Sequence, residues 1–336
     1  MFSIVIPIYK GMPLAKRAIS SALAQVDVQF NVVIIDNGAC KDLATFVVSL
    51  NDPRLELHTY NEAVNIEDNW ARVLDVQLSQ YVTLIGHDDF LYPKFLAEIS
   101  KAIHKYPERT LFGSKGNIVD NKCKKVRELN LTSGKFALEN YLDERFNFKR
   151  DVSGTGFVFS CIHFKSLGGL PKFKKLFFSD DAFWISLLLR GDGFIVETPC
   201  YDVMVHQQSV SATSPEMGID LLTALVAFAA FLNENLDIDG NQKLISSKNR
   251  FLSKCLNLCA ILIIIHNLKP NNNLKEEIFN KILQAQKEIG ETGSKVDLSK
   301  AVYLFKFFCK VVPSFFVAKL VFKMVASFRK VLKGQG

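Results

Sequence analysis

The chain has 336 residues, 49% hydrophobic and 22% charged, a globular balance that excludes a disordered or fibrous protein. Its formal charge of +7 is unevenly placed: residues 298–336 hold seven Lys, one Arg and no acid, leaving −1 for the rest. The basic balance therefore belongs to one segment, and no nucleic-acid partner is expected.

The pattern opens with a strand over 3–9 (SIVIPIY), bounded by Pro7 and Gly11, and a helix over 13–26. A second apolar strand over 31–35 ends on Asp36, Asn37 and Gly38. Helix 43–50, strand 55–60, helix 66–78 and strand 81–85 follow, the last running into Gly86, His87, Asp88 and Asp89. Strands that are apolar throughout and alternate with helices predict a parallel sheet covered on both faces. In such sheets ligands bind beyond the carboxyl ends of the strands, where Asp36 and Asp88/Asp89 are placed. A helix from Pro93 to about His104, strands near 110–113 and 155–161, and a basic-aromatic loop over 172–178 come next. A helix then starts at Ser179-Asp180-Asp181, and strands over 193–197 and 201–205 lead to His206. From about residue 215 long helical patterns replace the alternation, at 221–232, 249–268, 274–289 and 301–332. Two domains are predicted, 1–214 and 215–336.

Seven scattered cysteines (40, 123, 161, 200, 255, 259, 309) without a CxxC read as reduced thiols of a cytosolic compartment. Met1–Pro7 has neither a basic stretch nor a long apolar core, so no secretory signal is expected. GxGxxG, GxxxxGK[ST] and GxSxG are absent from the sequence, which removes the usual support for dinucleotide, P-loop and serine-hydrolase chemistry.

Two adjacent carboxylates at a strand end cost several kcal/mol if buried unpaired. A hard cation or ligand hydroxyls would offset that at Asp88 and Asp89; Mg²⁺ or Mn²⁺ typically takes one or two protein carboxylates with phosphate oxygens and water. The alternative is a solvated turn that caps a helix. Asp180 and Asp181 admit two readings as well. A partly desolvated carboxylate beside a second one makes a general base, whereas acids after Ser179 also suit a helix N-terminus.

SIVIPIYKG, VVIIDNGA, YNEAVNIEDNW, YVTLIGHDDFLYP, SDDAFW and VHQQSVS stand in the order found in family 2 glycosyltransferases, which the chain resembles over roughly residues 1–212. The resemblance implies a GT-A fold, a Rossmann-like and mainly parallel sheet flanked by helices, here with a helical C-terminal extension. It implies inverting transfer of a hexosyl or N-acetylhexosaminyl group from a nucleotide-sugar, most often UDP-linked, to a hydroxyl with Mn²⁺ or Mg²⁺. By position, Pro7 and Tyr9 would contact base or ribose. Asp36 would hydrogen-bond the base, with Asn37 where the family often has a second Asp. Asp88 would contact ribose or metal, and Asp89 would coordinate the metal, with Gly86 where the family often has another Asp. Asp181 would be the base, with Asp180 as the fallback. His206, ahead of Ser209 and Ser211, would meet the metal or diphosphate. Phe183 and Trp184 could line an acceptor pocket, but aromatic residues early in a helix are usually core. The alternative is a catalytically degenerate nucleotide-sugar-binding or membrane-scaffold protein.

Residues 301–333 interleave eight aromatics with basic side chains. Their charges oppose a transmembrane span and suit an amphipathic helix on an anionic membrane surface. The expectation is a protein peripheral to the cytoplasmic face of the inner membrane. Its acceptor would be a saccharide or lipid-linked saccharide in O-antigen, capsule or related surface-polysaccharide synthesis, and a homodimer is a possible assembly.

Overall fold

A computed structural model describes residues 1–9, 11–38, 40–206, 217–238, 240–266, 272–299 and 302–303. Within it the backbone divides into two compact units. One comprises Met1–Leu142, Lys149–Lys172 and Ser179–His206; the other comprises Asp143–Phe148, Phe173–Phe178 and Gln207–Gly336. The boundary expected near residue 214 lies outside the described residues, and two short earlier segments group with the second unit.

The first unit is built on strands β1 (Phe2–Ile8), β2 (Phe30–Asp36), β3 (Leu55–Thr59), β4 (Tyr81–Leu84) and β5 (Phe90–Leu91). It continues with β6 (Leu111–Val119), β7 (Lys125–Glu128), β8 (Gly134–Phe136), β9 (Phe157–Ser160) and β10 (Gly193–Met204). They form one sheet in the order β3-β2-β1-β4-β9-β6-β10-β5, with β7 added to β6 and β8 to β10. The β3-β2-β1-β4 half is parallel. β9 runs antiparallel between β4 and β6, and β10 returns parallel to β6. The carboxyl ends of β1, β2, β4, β6 and β10 therefore point to one edge of the sheet. All seven residues of β1 are buried, as expected of a strand covered on both faces.

Pro7 sits inside β1, opposite Ile35 of β2. The β1–β4 ladder ends at Val5↔Leu84, so no sheet bond is needed from the Pro7 nitrogen. Helix α1 (Met12–Leu23) follows Gly11, whose φ of 97° reverses the chain, and buries Ala15, Ala18, Ile19 and Ala22 on one stripe. α2 (Leu43–Leu50), α3 (Ile66–Ala71) and α4 (Phe95–Lys105) complete the alternation. α3 is capped by the Asn65 side chain, which accepts from the Asp68 amide at 2.8 Å. It tightens into a 3₁₀ turn over Arg72–Asp75, shorter than the helix expected over 66–78. The two strands expected near the end of the unit are one strand, β10, broken by irregularities near Pro199. β5, β7, β8 and the helices α5 (Leu138–Phe146) and α6 (Cys161–Ser166) were not expected; all but α5 are six residues or shorter, too short for periodicity to register.

α7 (Ser179–Leu188) carries Asp180 and Asp181 in its first turn. In the second unit, α8 (Met217–Asn235), α9 (Gln242–His266) and α10 (Asn272–Glu291) match three of the expected C-terminal helices. Phe228 of α8 stacks on Phe178 at 5.1 Å and 5°. α8 is long and apolar enough to cross a membrane, but Leu222, Leu225, Phe228 and Leu232 are buried within the protein. The helix expected over 301–332 lies outside the described residues apart from 302–303, as do Ser209 and Ser211.

Candidate active site

At the β4 end, Asp88 and Asp89 face different surroundings. The Asp89 side chain is 7% exposed, and both of its oxygens are engaged. Thr155 Oγ1 donates to Oδ2, and the Met204 amide at the end of β10 donates to Oδ1 at 3.1 Å. Burial first, then the Asp88 charge, pushes the Asp89 carboxyl up to about 8; the two hydrogen bonds and Arg17 oppose the rise. Asp88 instead keeps access to solvent. Its Oδ2 stands 3.0 Å from His206 Nε2, with side chains 21% and 12% exposed, respectively. Beside them His87 is held below the usual imidazole range, mainly by burial.

The same Thr155 hydroxyl accepts from the Gly86 amide at 3.0 Å. A Cβ on Gly86 would stand 2.8 Å from Asp88 Oδ1 and 2.9 Å from Asp89 Oδ2. A side chain at position 86 would crowd both carboxylates in this arrangement, which gives a physical reason for glycine there.

Asp180 and Asp181 approach the same place from α7. A Cβ on Gly154 would lie 3.1 Å from Asp180 Oδ1, so the Asp180 carboxylate rests on the backbone immediately before Thr155. Gly154-Thr155 thus joins the two acidic pairs: one residue packs under Asp180 and the next bonds Asp89. Asp180 is half-buried, and burial, then the neighbouring Asp181, raises its carboxyl to about 7. Asp181 is only 2% exposed and accepts from the Tyr141 hydroxyl at 2.8 Å. Of the pair, Asp180 is the more accessible. Phe183 and Trp184 are each 1% exposed, and Trp184 packs on Phe157 at 4.8 Å. They are core residues, the second of the two readings open to them.

At the β2 end, Asp36 is 4% exposed and accepts from the Gly38 amide at 3.0 Å; burial raises its carboxyl despite that bond. Asn37 is fully buried. Its amide donates to the Val64 carbonyl at 2.9 Å and accepts from the Val64 amide at 3.0 Å and from Arg72 at 2.8 Å. Arg72 lies over the Tyr60 ring at 3.9 Å. The Asn37 side chain therefore ties down the segment after β3 rather than facing a ligand. Pro7 is likewise held in β1, while Tyr9 is 41% exposed where the strand ends.

A family model described as glycosyl transferase family 2 matches residues 3–169. Residues 3–169 belong to that family. Among curated proteins, an uncharacterized glycosyltransferase of Rickettsia prowazekii is 24% identical over 123 residues, 36% of this chain and 38% of the relative. One of Rickettsia typhi matches to the same extent. The matched region thus spans well under half the length of these relatives.

Among solved structures, residues 1–349 of S. aureus TarS align with a TM-score of 0.66 at 15% identity, over 97% of this chain and 91% of that one. The same protein in complex with UDP-GlcNAc aligns with a TM-score of 0.66 at 16% identity, over 99% and 92%. A mannosyltransferase of Pyrobaculum calidifontis, in complex with GDP-Man and Mn²⁺, gives 0.51 at 12% identity, over 100% and 88%. At these identities the likeness shows the fold, and the fold is that of GT-A glycosyltransferases.

Within the family 2 region, sequence reasoning passed over Thr155, Tyr141 and Arg72. Each acts by holding another side chain, and an isolated hydroxyl or guanidinium carries no pattern that announces its partner. Thr155 was legible only as part of the apolar stretch leading into β9. Arg17 of α1, whose guanidinium lies 2.8 Å from Cys123 Sγ, is similarly silent in sequence.

The residues present fit a divalent cation. Asp88 and His206 offer one carboxylate oxygen and one imidazole nitrogen 3.0 Å apart, and among the described residues no cluster of three or more such ligands exists. Two protein ligands leave the remaining positions to phosphate oxygens and water, as hard cations in phosphate sites require.

Proposed function

We propose that the chain is an inverting glycosyltransferase that moves a sugar from a nucleoside-diphosphate sugar to the hydroxyl of a saccharide or lipid-linked saccharide. The observation that carries this reading is the junction at Gly154-Thr155, which brings Asp180 to the group formed by Asp88, Asp89 and His206. Asp88 and His206 would hold the cation, which when bound offsets charge developing on the diphosphate. Asp89 acts as a positioning residue, because its oxygens are engaged by Thr155 and Met204.

Asp180 is assigned as the base. As the acceptor oxygen bonds to the anomeric carbon, the bond from that carbon to the diphosphate oxygen breaks, and its electron pair leaves with the nucleoside diphosphate. The acceptor proton passes to the Asp180 carboxylate, whose pKa near 7 balances availability against basicity at neutral pH. Asp181, fixed by Tyr141, is assigned to keep Asp180 raised and in place.

Asp36 is assigned to the donor base and Tyr9 to its exposed edge. The UDP-GlcNAc complex of TarS supports a UDP-linked donor, and the GDP-Man and Mn²⁺ complex of the mannosyltransferase supports the cation. A role in surface-polysaccharide synthesis at the inner membrane extends the same reading. A panel of nucleotide-sugars, each with and without Mn²⁺, tests it by thermal stabilisation. A donor at a hundred times its Kd should stabilise by about 2.7 kcal/mol. No stabilisation by any donor with Mn²⁺ would remove the reading.

A further inference from the structure

The turn after β6 differs from the rest of the crevice rim. Residues 122–127, KCKKVR, hold four cations and no acid. Every residue from 121 to 128 is exposed, so β7 presents both faces to solvent and stands clear of the core. The turn is nevertheless rigidly closed. Asp120 Oδ1 accepts from the Lys122 and Lys124 amides at 2.9 Å each, and the Asp120 amide donates to the Lys124 carbonyl at 2.9 Å.

Lys125 and Arg127 are paired with Glu128 and Asp151. Lys122 and Lys124 make no ion pair among the described residues. Between the charges, Val126 is 60% exposed.

This hairpin borders the candidate active site. The Val205 amide donates to the Val119 carbonyl at 2.9 Å, one residue before His206. Arg17 reaches both Cys123 Sγ at 2.8 Å and Met204 Sδ at 4.0 Å. Small ligands are enclosed by concave sites. A projecting cationic hairpin with one apolar side chain matches instead an extended anionic surface, where lysines gain Coulomb attraction and a short apolar group enters the interface.

We propose that the β6–β7 hairpin is a membrane-contact element of the first unit, seating Lys122, Lys124 and Val126 on anionic phospholipid. It would set the crevice of the proposed transferase at the lipid surface, where a lipid-linked acceptor presents its hydroxyl. That last step rests on the reading above; the contact itself does not.

The test is co-sedimentation of the full chain with vesicles of equimolar phosphatidylglycerol and phosphatidylcholine, against phosphatidylcholine alone. Each lysine near an anionic surface contributes about 5-fold in partitioning, so Lys122→Gln/Lys124→Gln should lower binding about 25-fold. Lys94→Gln/Lys105→Gln, just before α4 and at its last residue, removes the same charge from other exposed positions and should change binding no more than about 2-fold. Every variant compared keeps residues 301–333 unchanged. Equal binding by the two double variants would overturn the proposal. So would release of the wild type by millimolar pyrophosphate at constant ionic strength, which would make the hairpin a phosphate subsite. The assay needs no turnover, so its failure is separate from failure of the glycosyl-transfer reading.

Discussion

Thr155→Val removes one hydroxyl from the junction of the candidate site while keeping the shape of the side chain. Thr155 is 2% exposed, so water cannot readily replace what is lost. Two partners are stranded: the Gly86 amide, which donates to Oγ1 at 3.0 Å, and Asp89 Oδ2, which receives the hydroxyl proton. Leaving a buried donor or acceptor without its partner costs about 1–3 kcal/mol each. Together these predict a destabilisation of about 3 kcal/mol. At a urea m-value of about 3 kcal/mol/M the unfolding midpoint would fall by about 1 M. Both tryptophans, Trp70 and Trp184, lie in the first unit, so their fluorescence follows its unfolding. Thr155→Ser provides the comparison, since it keeps the hydroxyl and loses only a buried methyl, about 1 kcal/mol. A valine variant no less stable than the serine variant would refute the bridging role.

Asp180→Asn should lower turnover about 10²- to 10⁴-fold while donor-induced stabilisation persists; a variant that turns over normally would remove Asp180 as the base. In the wild type, kcat/KM should be lost as pH falls through about 7, because only ionised Asp180 accepts a proton. The stability effect has the opposite sign. A folded-state pKa above the unfolded value favours the protonated native state, so Asp180's contribution is full below about 4 and lost as pH rises through about 7. Urea melts across that window should show a shallower decline for Asp180→Asn. His206→Ala should abolish Mn²⁺-dependent thermal stabilisation and leave the metal-free melt nearly unchanged; unaltered Mn²⁺ dependence would separate His206 from the cation. Asn37→Ala, which removes three hydrogen bonds from a fully buried side chain, should cost about 2–4 kcal/mol and open the segment after β3 to limited proteolysis. Wild-type resistance would contradict its tethering role.

What the sequence determined by itself was the alternation of buried strands and helices, the edge of the sheet at which ligands gather, and the acids placed there. An uninterrupted apolar strand such as β1 must be covered on both faces, and a parallel sheet collects its loops at the carboxyl ends, so these features follow from local pattern. Which member of each acidic pair faces outward was decided by the tertiary structure. Asp88 and Asp89 are neighbours with the same side chain, yet Met204, 115 residues away, and Thr155, 66 residues away, capture one and leave the other to His206. Tyr141 does the same to Asp181, and Val64 with Arg72 does it to Asn37. Hydrogen bonds between residues so distant in the chain leave no periodic trace. The partner of a buried polar group is set by the packing that brings it there.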